Sequence, residues 1–216
     1  MVRRLIARGI LKSPNVIKAM EKVPRERFLP EEYQWSAYDD TPLPIGEGQT
    51  ISAPHMVAIM AEALELVEGL TMLEIGAGCG YNAAVMSEII APQASKKRGH
   101  LYTIEIVPQL FELAKHNLEA SGFSENTTVI LGDGSAGYFE EAPYDRITVT
   151  AFAPKILEGL IAQLECPGIL LIPVGATFYG QELIKVVKDE KQRIVWTSLG
   201  EVAFVPLVGK EGWKGH

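Results

Sequence analysis

Three observations predict a doubly wound α/β fold with a mostly parallel sheet. First, short apolar strands alternate with helix-like segments through the middle of the chain. Second, a strand runs into a glycine-rich turn and then directly into a helix at residues 72–90. Third, the alternation stops near residue 175, after which two strand-like segments follow without a helix between them. Strand–helix alternation builds parallel sheets with helices on both faces, whereas directly consecutive strands pair antiparallel.

The elements follow in order. Ser13-Pro14 opens a helix that runs to about Glu21, and Arg25 to Tyr38 carries mixed apolar and charged positions, so residues 1–40 form a broken helical extension. Residues 41–54 are rich in Pro, Gly and polar residues and are expected to be a connecting loop. Ser52 can N-cap the next helix, with Pro54 in its first turn, where proline is tolerated; that helix runs to about Leu66. Then come strand 71–75, helix 80–90, strand 100–105, helix 108–121, strand 127–131, strand 144–149, helix 155–164 and strand 169–174. Ile147-Thr148-Val149 and Ile169-Leu170-Leu171-Ile172 are apolar enough to be buried on both faces, as parallel strands are. Glu182 to Val187 and Arg193 to Val205 form the antiparallel pair. One unit is expected: residues 1–56 as helical extension and substrate loop, 57–175 as the ligand-binding core, and 176–216 as the antiparallel part.

Composition narrows the function classes. The 216 residues are 47% hydrophobic and 22% charged with net charge −7, and mean hydropathy is +0.11, as in ordinary globular proteins. Lys96-Lys97-Arg98 is the densest basic run, too short for a nucleic-acid footprint. No segment reads as a signal peptide or a membrane span, so a cytoplasmic monomer is the expectation. Cys79 and Cys166 have neither metal-ligand nor disulfide-scaffold spacing, so no metal is expected. Cys79, inside the glycine turn, reads as a small filler.

The glycine turn is Met72-Leu73-Glu74-Ile75-Gly76-Ala77-Gly78-Cys79-Gly80. A strand feeding such a turn and a helix brings backbone close to a nucleotide. The spacing departs from the dinucleotide fingerprint, because Tyr81 stands where a last glycine would be. A carboxylate at Glu74 also suits a cationic ligand better than a pyrophosphate. Both points disfavour a nicotinamide-dependent oxidoreductase. Acid-x-Gly-x-Gly-x-Gly resembles the first motif of the Rossmann-like S-adenosyl-L-methionine-dependent methyltransferases. Glu105, at the tip of the next strand and about 20 or more residues past the turn, is placed to accept both hydroxyls of a ribose. Asp133, between Gly132 and Gly134 at the third strand end, can accept from an adenine amine, although Asp and Gly are also common turn formers.

The acceptor is a separate question. Val149-Thr150-Ala151-Phe152-Ala153-Pro154 lacks the acid-or-Asn, double-proline, aromatic pattern of enzymes that methylate nucleic-acid bases. A carboxylate acceptor is already ionised at neutral pH and needs no general base. Pro44-Ile45-Gly46-Glu47-Gly48-Gln49-Thr50-Ile51-Ser52-Ala53-Pro54 closely resembles the Ile-Gly-x-Gly-Gln-Thr-Ile-Ser-x-Pro signature of the protein-L-isoaspartate O-methyltransferases. Val23-Pro24-Arg25-Glu26-Arg27-Phe28, Ala142-Pro143-Tyr144-Asp145, Ile172-Pro173-Val174-Gly175 and Phe204-Val205-Pro206-Leu207 match other landmarks of that family, so the resemblance covers almost the whole chain.

The resemblance implies methyl transfer from S-adenosyl-L-methionine to the α-carboxylate of L-isoaspartyl residues in damaged proteins and peptides, leaving S-adenosyl-L-homocysteine. It implies Ser52 as the catalytic residue, orienting the acceptor by hydrogen bond rather than attacking it. Donor contacts would come from Glu74, Gly76, Ala77, Gly78, Glu105, Ile106, Asp133, Gly134, Ile51 and His55, the last being either a contact or a support behind the loop. Substrate contacts would come from Gln49, Thr50, Ala53, Thr150, Ala151 and Val205, with residues 205–208 closing over the substrate backbone. Ala77 and Cys79 replace the family's more usual Thr and Ser. Phe152 replaces its common Ala and would narrow the acceptor pocket if it points inward. The competing reading is a methyltransferase of a small-molecule or RNA acceptor, which leaves residues 44–56 unaccounted for.

Overall fold

A computed structural model describes residues 1–93, 95–177 and 180–214. Its centre is a seven-stranded sheet of β3 (Thr71–Ile75), β4 (His100–Glu105), β5 (Thr127–Leu131), β6 (Tyr144–Val149), β7 (Leu164–Val174), β8 (Gln181–Lys188) and β9 (Ile194–Val202). The spatial order is β5-β4-β3-β6-β7-β8-β9. The first four pairings are parallel, and β7–β8 and β8–β9 are antiparallel. The fold is therefore the expected one.

Period-2 alternation splits the core in two. Met72, Ile169 and Leu171 face one apolar layer, while Leu73, Ile75, Leu170 and Ile172 face the other. The first layer packs the helices α1 (Val2–Ala7), α2 (Pro14–Lys22), α3 (Pro54–Ala63), α4 (Tyr81–Ile90) and α5 (Pro108–Ala120). The second packs the short α6 (Glu158–Ala162). The apolar interior of α4 is matched by nearly continuous burial, as expected for a helix covered on all sides.

Three segments differ from expectation. Residues 41–54 are not a plain loop, because β1 (Leu43–Gly46) and β2 (Gln49–Ile51) pair as a hairpin. Its two turn residues, Glu47 and Gly48, have φ of 50° and 68°, the mirror-image turn that matches strand twist. The helix expected at 155–164 is only α6, and β7 begins at Leu164 rather than Ile169. Its first residues continue the ladder with β6 through Tyr144 opposite Leu164. Residues 203–205 have left the β8–β9 ladder, and Ala94, in the expected 91–99 surface loop, lies outside the described residues. Among the described residues no helix is long and apolar enough to cross a membrane.

Candidate active site

Strand order reverses between β3 and β6, so the connections leave their carboxyl ends in opposite directions and open a crevice there. A cavity with about 920 Å³ of empty space, its open mouth included, occupies that position. Ligand pockets usually span roughly 300–1,000 Å³.

One wall is the glycine turn. Gly76, Ala77, Gly78 and Cys79 line the cavity. Gly76 has φ of 97°, and a Cβ there would collide with the Thr150 hydroxyl. That hydroxyl donates to the Gly76 carbonyl at 2.7 Å and to the Ile75 carbonyl at 3.1 Å, tying the end of β6 to the turn. Cys79 is buried, and burial pushes its thiol up to about 11, so it stays protonated at neutral pH and fills space.

Glu105 stands at the end of β4 and also lines the cavity. Its Oε2 accepts from the Gly78 N–H at 2.8 Å, and its Oε1 accepts from the N–H groups of Ile106 and Val107 at 2.9 and 3.0 Å. An ionised carboxylate has about four lone-pair sites. Three amides leave capacity for one further donor, such as a hydroxyl. Ile106, Gly132 and Gly134 continue the wall at this end.

The opposite wall comes from outside the alternating core. Gln49, Thr50, Ile51 and Ser52 enter from the hairpin, which rests on the glycine turn through Ile45, 3.3 Å from where a Gly78 Cβ would lie. Val205, Pro206, Leu207 and Val208 enter from the C-terminal strap, and Thr150 and Ala151 lie between. The strap is pinned to Phe152. The Phe152 N–H donates to the Val205 carbonyl at 2.8 Å, while its carbonyl accepts from Leu207 N–H at 2.9 Å and from Trp213 Nε1–H at 3.1 Å. The Phe152 ring packs on Trp213 with centroids 5.5 Å apart. Phe152 is thus buried behind the cavity and does not narrow it.

Four expected contacts do not line the cavity: Glu74, Asp133, His55 and Ala53. Glu74 is fully buried beneath the turn, accepting from Asn82 Nδ2 at 2.7 Å and Thr103 Oγ1 at 2.5 Å. Loss of water pushes its carboxyl up to about 7, against those two hydrogen bonds. Both Asp133 oxygens accept backbone N–H groups, Oδ1 from Ser135 at 2.9 Å and Oδ2 from Lys210 at 2.8 Å. Asp133 therefore clasps the strap, and its neighbours Gly132 and Gly134 face the cavity instead. His55 is held by Asp40 through its N–H at 2.9 Å and its Nδ1 at 2.8 Å, so it supports the hairpin from behind. Ala53, not Ser52, is the N-cap residue of α3, and no side chain caps that helix. Ser52 remains at the cavity wall.

Residues that sequence reasoning missed here include Tyr81, Asn82, Val57 and Leu110, all lining the cavity. Val57, Asn82 and Leu110 had been read only as parts of helices, and Tyr81 as the residue in place of a last glycine. A polar Asn82, two residues past the glycine turn, was a signal that pointed inward. Among the described residues no group of three or more His, Cys, Asp or Glu is placed to hold a metal.

Comparison with known proteins agrees with this geometry. The sequence profile described as Protein-L-isoaspartate(D-aspartate) O-methyltransferase (PCMT) matches residues 1–212. A protein-L-isoaspartate O-methyltransferase of Methanothermobacter thermautotrophicus is 55% identical over 216 residues, covering 100% of this chain and 97% of the relative. One from Hyperthermus butylicus is 52% identical over 218 residues, covering 100% and 90%. A Plasmodium falciparum protein of that description, solved in complex with S-adenosyl-L-homocysteine, matches with TM-score 0.81 at 28% identity over 96% of each chain. With its glycine turn, acidic strand end and hairpin signature assembled around one cavity, this chain belongs to the protein-L-isoaspartate(D-aspartate) O-methyltransferase family.

Proposed function

We propose that the protein transfers the methyl group of S-adenosyl-L-methionine to the α-carboxylate of L-isoaspartyl residues in proteins and peptides, opening their conversion to aspartyl. The observation that carries this reading is one shared void. The glycine turn with Glu105 forms one side of it, and Gln49 to Ser52 of the family signature form the other. When bound, the donor supplies a methyl carbon on a cationic sulfur. The acceptor carboxylate forms the new O–CH3 bond as the C–S bond breaks and the electron pair passes to sulfur.

The residues divide the work by position. Glu105, already held by three amides, takes a ribose hydroxyl on its remaining acceptor site. Gly76 to Gly78 let backbone approach the rest of the donor, and Gly132 and Gly134 flank its adenine end. The Ser52 hydroxyl donates to the acceptor carboxylate and aims one oxygen at the methyl group; a neutral donor orients the charge without neutralising it. Thr50, Ala151 and Val205 border the acceptor side. Alignment of this kind supplies much of the rate of an in-line displacement.

The test is methyl transfer from labelled donor to two peptides that differ only in L-isoaspartate or L-aspartate at one position. Base-labile label on the isoaspartyl peptide alone is expected. Donor binding with no label on either peptide overturns the acceptor. Ser52→Ala should lower turnover more than donor affinity and leave thermal stability unchanged, since Ser52 caps no helix. A collapse of donor affinity instead would make Ser52 a loop support.

A further inference from the structure

The outer edge of β9 is bare. β9 ends the strand order of the sheet, so among the described residues no strand pairs with that edge. Residues 194–200 carry no charge, and Ile194, Val195 and Trp196 are 50%, 61% and 61% exposed. Val195 lies on one face of the sheet and Ile194 and Trp196 on the other, because side chains alternate along a strand. Natural edges are usually short, charged or bulged, since open N–H and C=O groups template the pairing of another strand. Here the one irregularity in the pairing with β8 lies between Ser198 and Glu201, so residues 194–198 stay regular.

The hairpin turn fixes which groups are open. The Asp189 N–H donates to the Arg193 carbonyl at 3.0 Å, which makes that a bonded pair. Bonded and unbonded pairs alternate along an antiparallel ladder. Ile194 opposite Lys188, Trp196 opposite Val186 and Ser198 opposite Ile184 are therefore the unbonded pairs. Their N–H and C=O groups point away from β8, into the open edge, while those of Val195 and Thr197 face β8.

This set is self-complementary. A two-fold axis at Trp196 sets Trp196 against its own copy and Ile194 against Ser198 of a second copy. Each of these pairs exchanges two hydrogen bonds, so every open group between Ile194 and Ser198 is satisfied. The two Trp196 rings meet on one face of the joined sheet, and Val195 meets Thr197 on the other. Such cross-strand contacts are what stabilise a sheet. A foreign strand would have to bring apolar side chains to both faces in the same spacing; a second copy already carries them.

We infer that two copies of this chain associate through β9, antiparallel about an axis at Trp196, into one continuous sheet. A strand pairing of this length buries on the order of 1,000 Å² over both copies, the size of weak and reversible contacts. The monomer expected from the sequence is then the dilute species. None of residues 194–202 lines the cavity, so association leaves it open.

The experiment is sedimentation equilibrium of the wild-type, Trp196→Lys, Trp196→Glu and Ser198→Pro proteins over a range of concentration. The wild-type mass should rise from 23.7 kDa toward twice that value. Each Trp196 variant alone should stay at 23.7 kDa, because like charges meet at the axis. Mixed in equal amounts, the Lys and Glu variants should associate, since only an axis at this residue sets one against the other. Ser198→Pro removes an outward N–H without touching the ladder to β8, and should weaken the dimer by roughly tenfold or more. Unchanged circular dichroism separates lost association from lost folding. Amide exchange at Ile194, Trp196 and Ser198 should slow as wild-type concentration rises. A wild-type mass of 23.7 kDa up to ~1 mM protein overturns the pairing. So does a dimer that Trp196→Lys leaves intact, or a mixture of the two charged variants that stays monomeric. Protection of those amides only on addition of an unfolded polypeptide assigns the edge to foreign strands and overturns self-pairing as well.

Discussion

The two walls of the cavity are built differently. The wall at the glycine turn is backbone held by two side chains: Glu105 gathers three amides, and Thr150 pins the Ile75 and Gly76 carbonyls. The opposite wall is brought in from both ends of the chain, the hairpin from before the core and the strap from after it, and fastened at single points such as Phe152 and Asp133. The first wall has little freedom to vary its residues. The second can change composition so long as its anchors stay. A nucleotide-type donor is the same in every reaction, whereas acceptors differ, and the division follows that need.

That contrast can be broken by substitution. The largest effect is expected for Gly76→Ala, which combines a left-handed backbone with a collision against Thr150. Strain and clash in a packed turn cost several kcal/mol, so donor binding measured by calorimetry should vanish. Retained affinity would mean that the turn is softer than its hydrogen bonds suggest. Next is a pH effect. Glu74 is pushed from 4.5 to about 7 in the fold, so its neutral form is favoured there. Its contribution to stability is complete below the unfolded value and is lost as pH rises through about 7. That loss is on the order of 3 kcal/mol. Denaturant titrations of the ligand-free protein between pH 4.5 and 8 should show that decline, and Glu74→Gln should flatten it. Identical slopes in both proteins would count against it.

Glu105→Ala follows. It strips a ribose acceptor and unpairs three amides, and should weaken donor binding by roughly 1–3 kcal/mol. An unchanged affinity would sink the ribose assignment. The smallest effect belongs to the other wall. Gly48→Ala at the hairpin tip meets nothing within 4 Å, leaving only its positive φ to oppose the change. A stability loss of about 1 kcal/mol is expected, with donor affinity intact. A large loss of donor affinity would show that the hairpin is as demanding as the turn.

The same division explains what the sequence revealed. The core strands β3, β4, β5 and β6 were found with their bounds intact, and so were the glycine turn and Glu105, because short-range patterns specify a strand–turn–helix unit. The hairpin was read as a loop because Glu47 hides the Asn-Gly or Asp-Gly signal of a mirror-image turn. Asp133 was assigned to the ligand because its partner Lys210 lies 77 residues away and no local pattern announces it. Glu74 was placed in the cavity because its spacing to the glycines says that it is near, not which side of the turn it occupies. Tyr81 and Asn82 were absorbed into a helix that the pattern identified correctly. Ser52 was expected to cap α3, but the helix begins one residue later than that role requires.

The three amides on Glu105 have a thermodynamic consequence. A free glutamate side chain loses up to about 2 kcal/mol of rotamer entropy when immobilised. Here that ordering is complete before any ligand arrives, so it is charged to the folding equilibrium and not to association. The empty protein is correspondingly less stable than a chain with a freely rotating side chain and the same contacts would be. In return, the acid meets an incoming diol in its final orientation, and encounter requires no search through side-chain conformations.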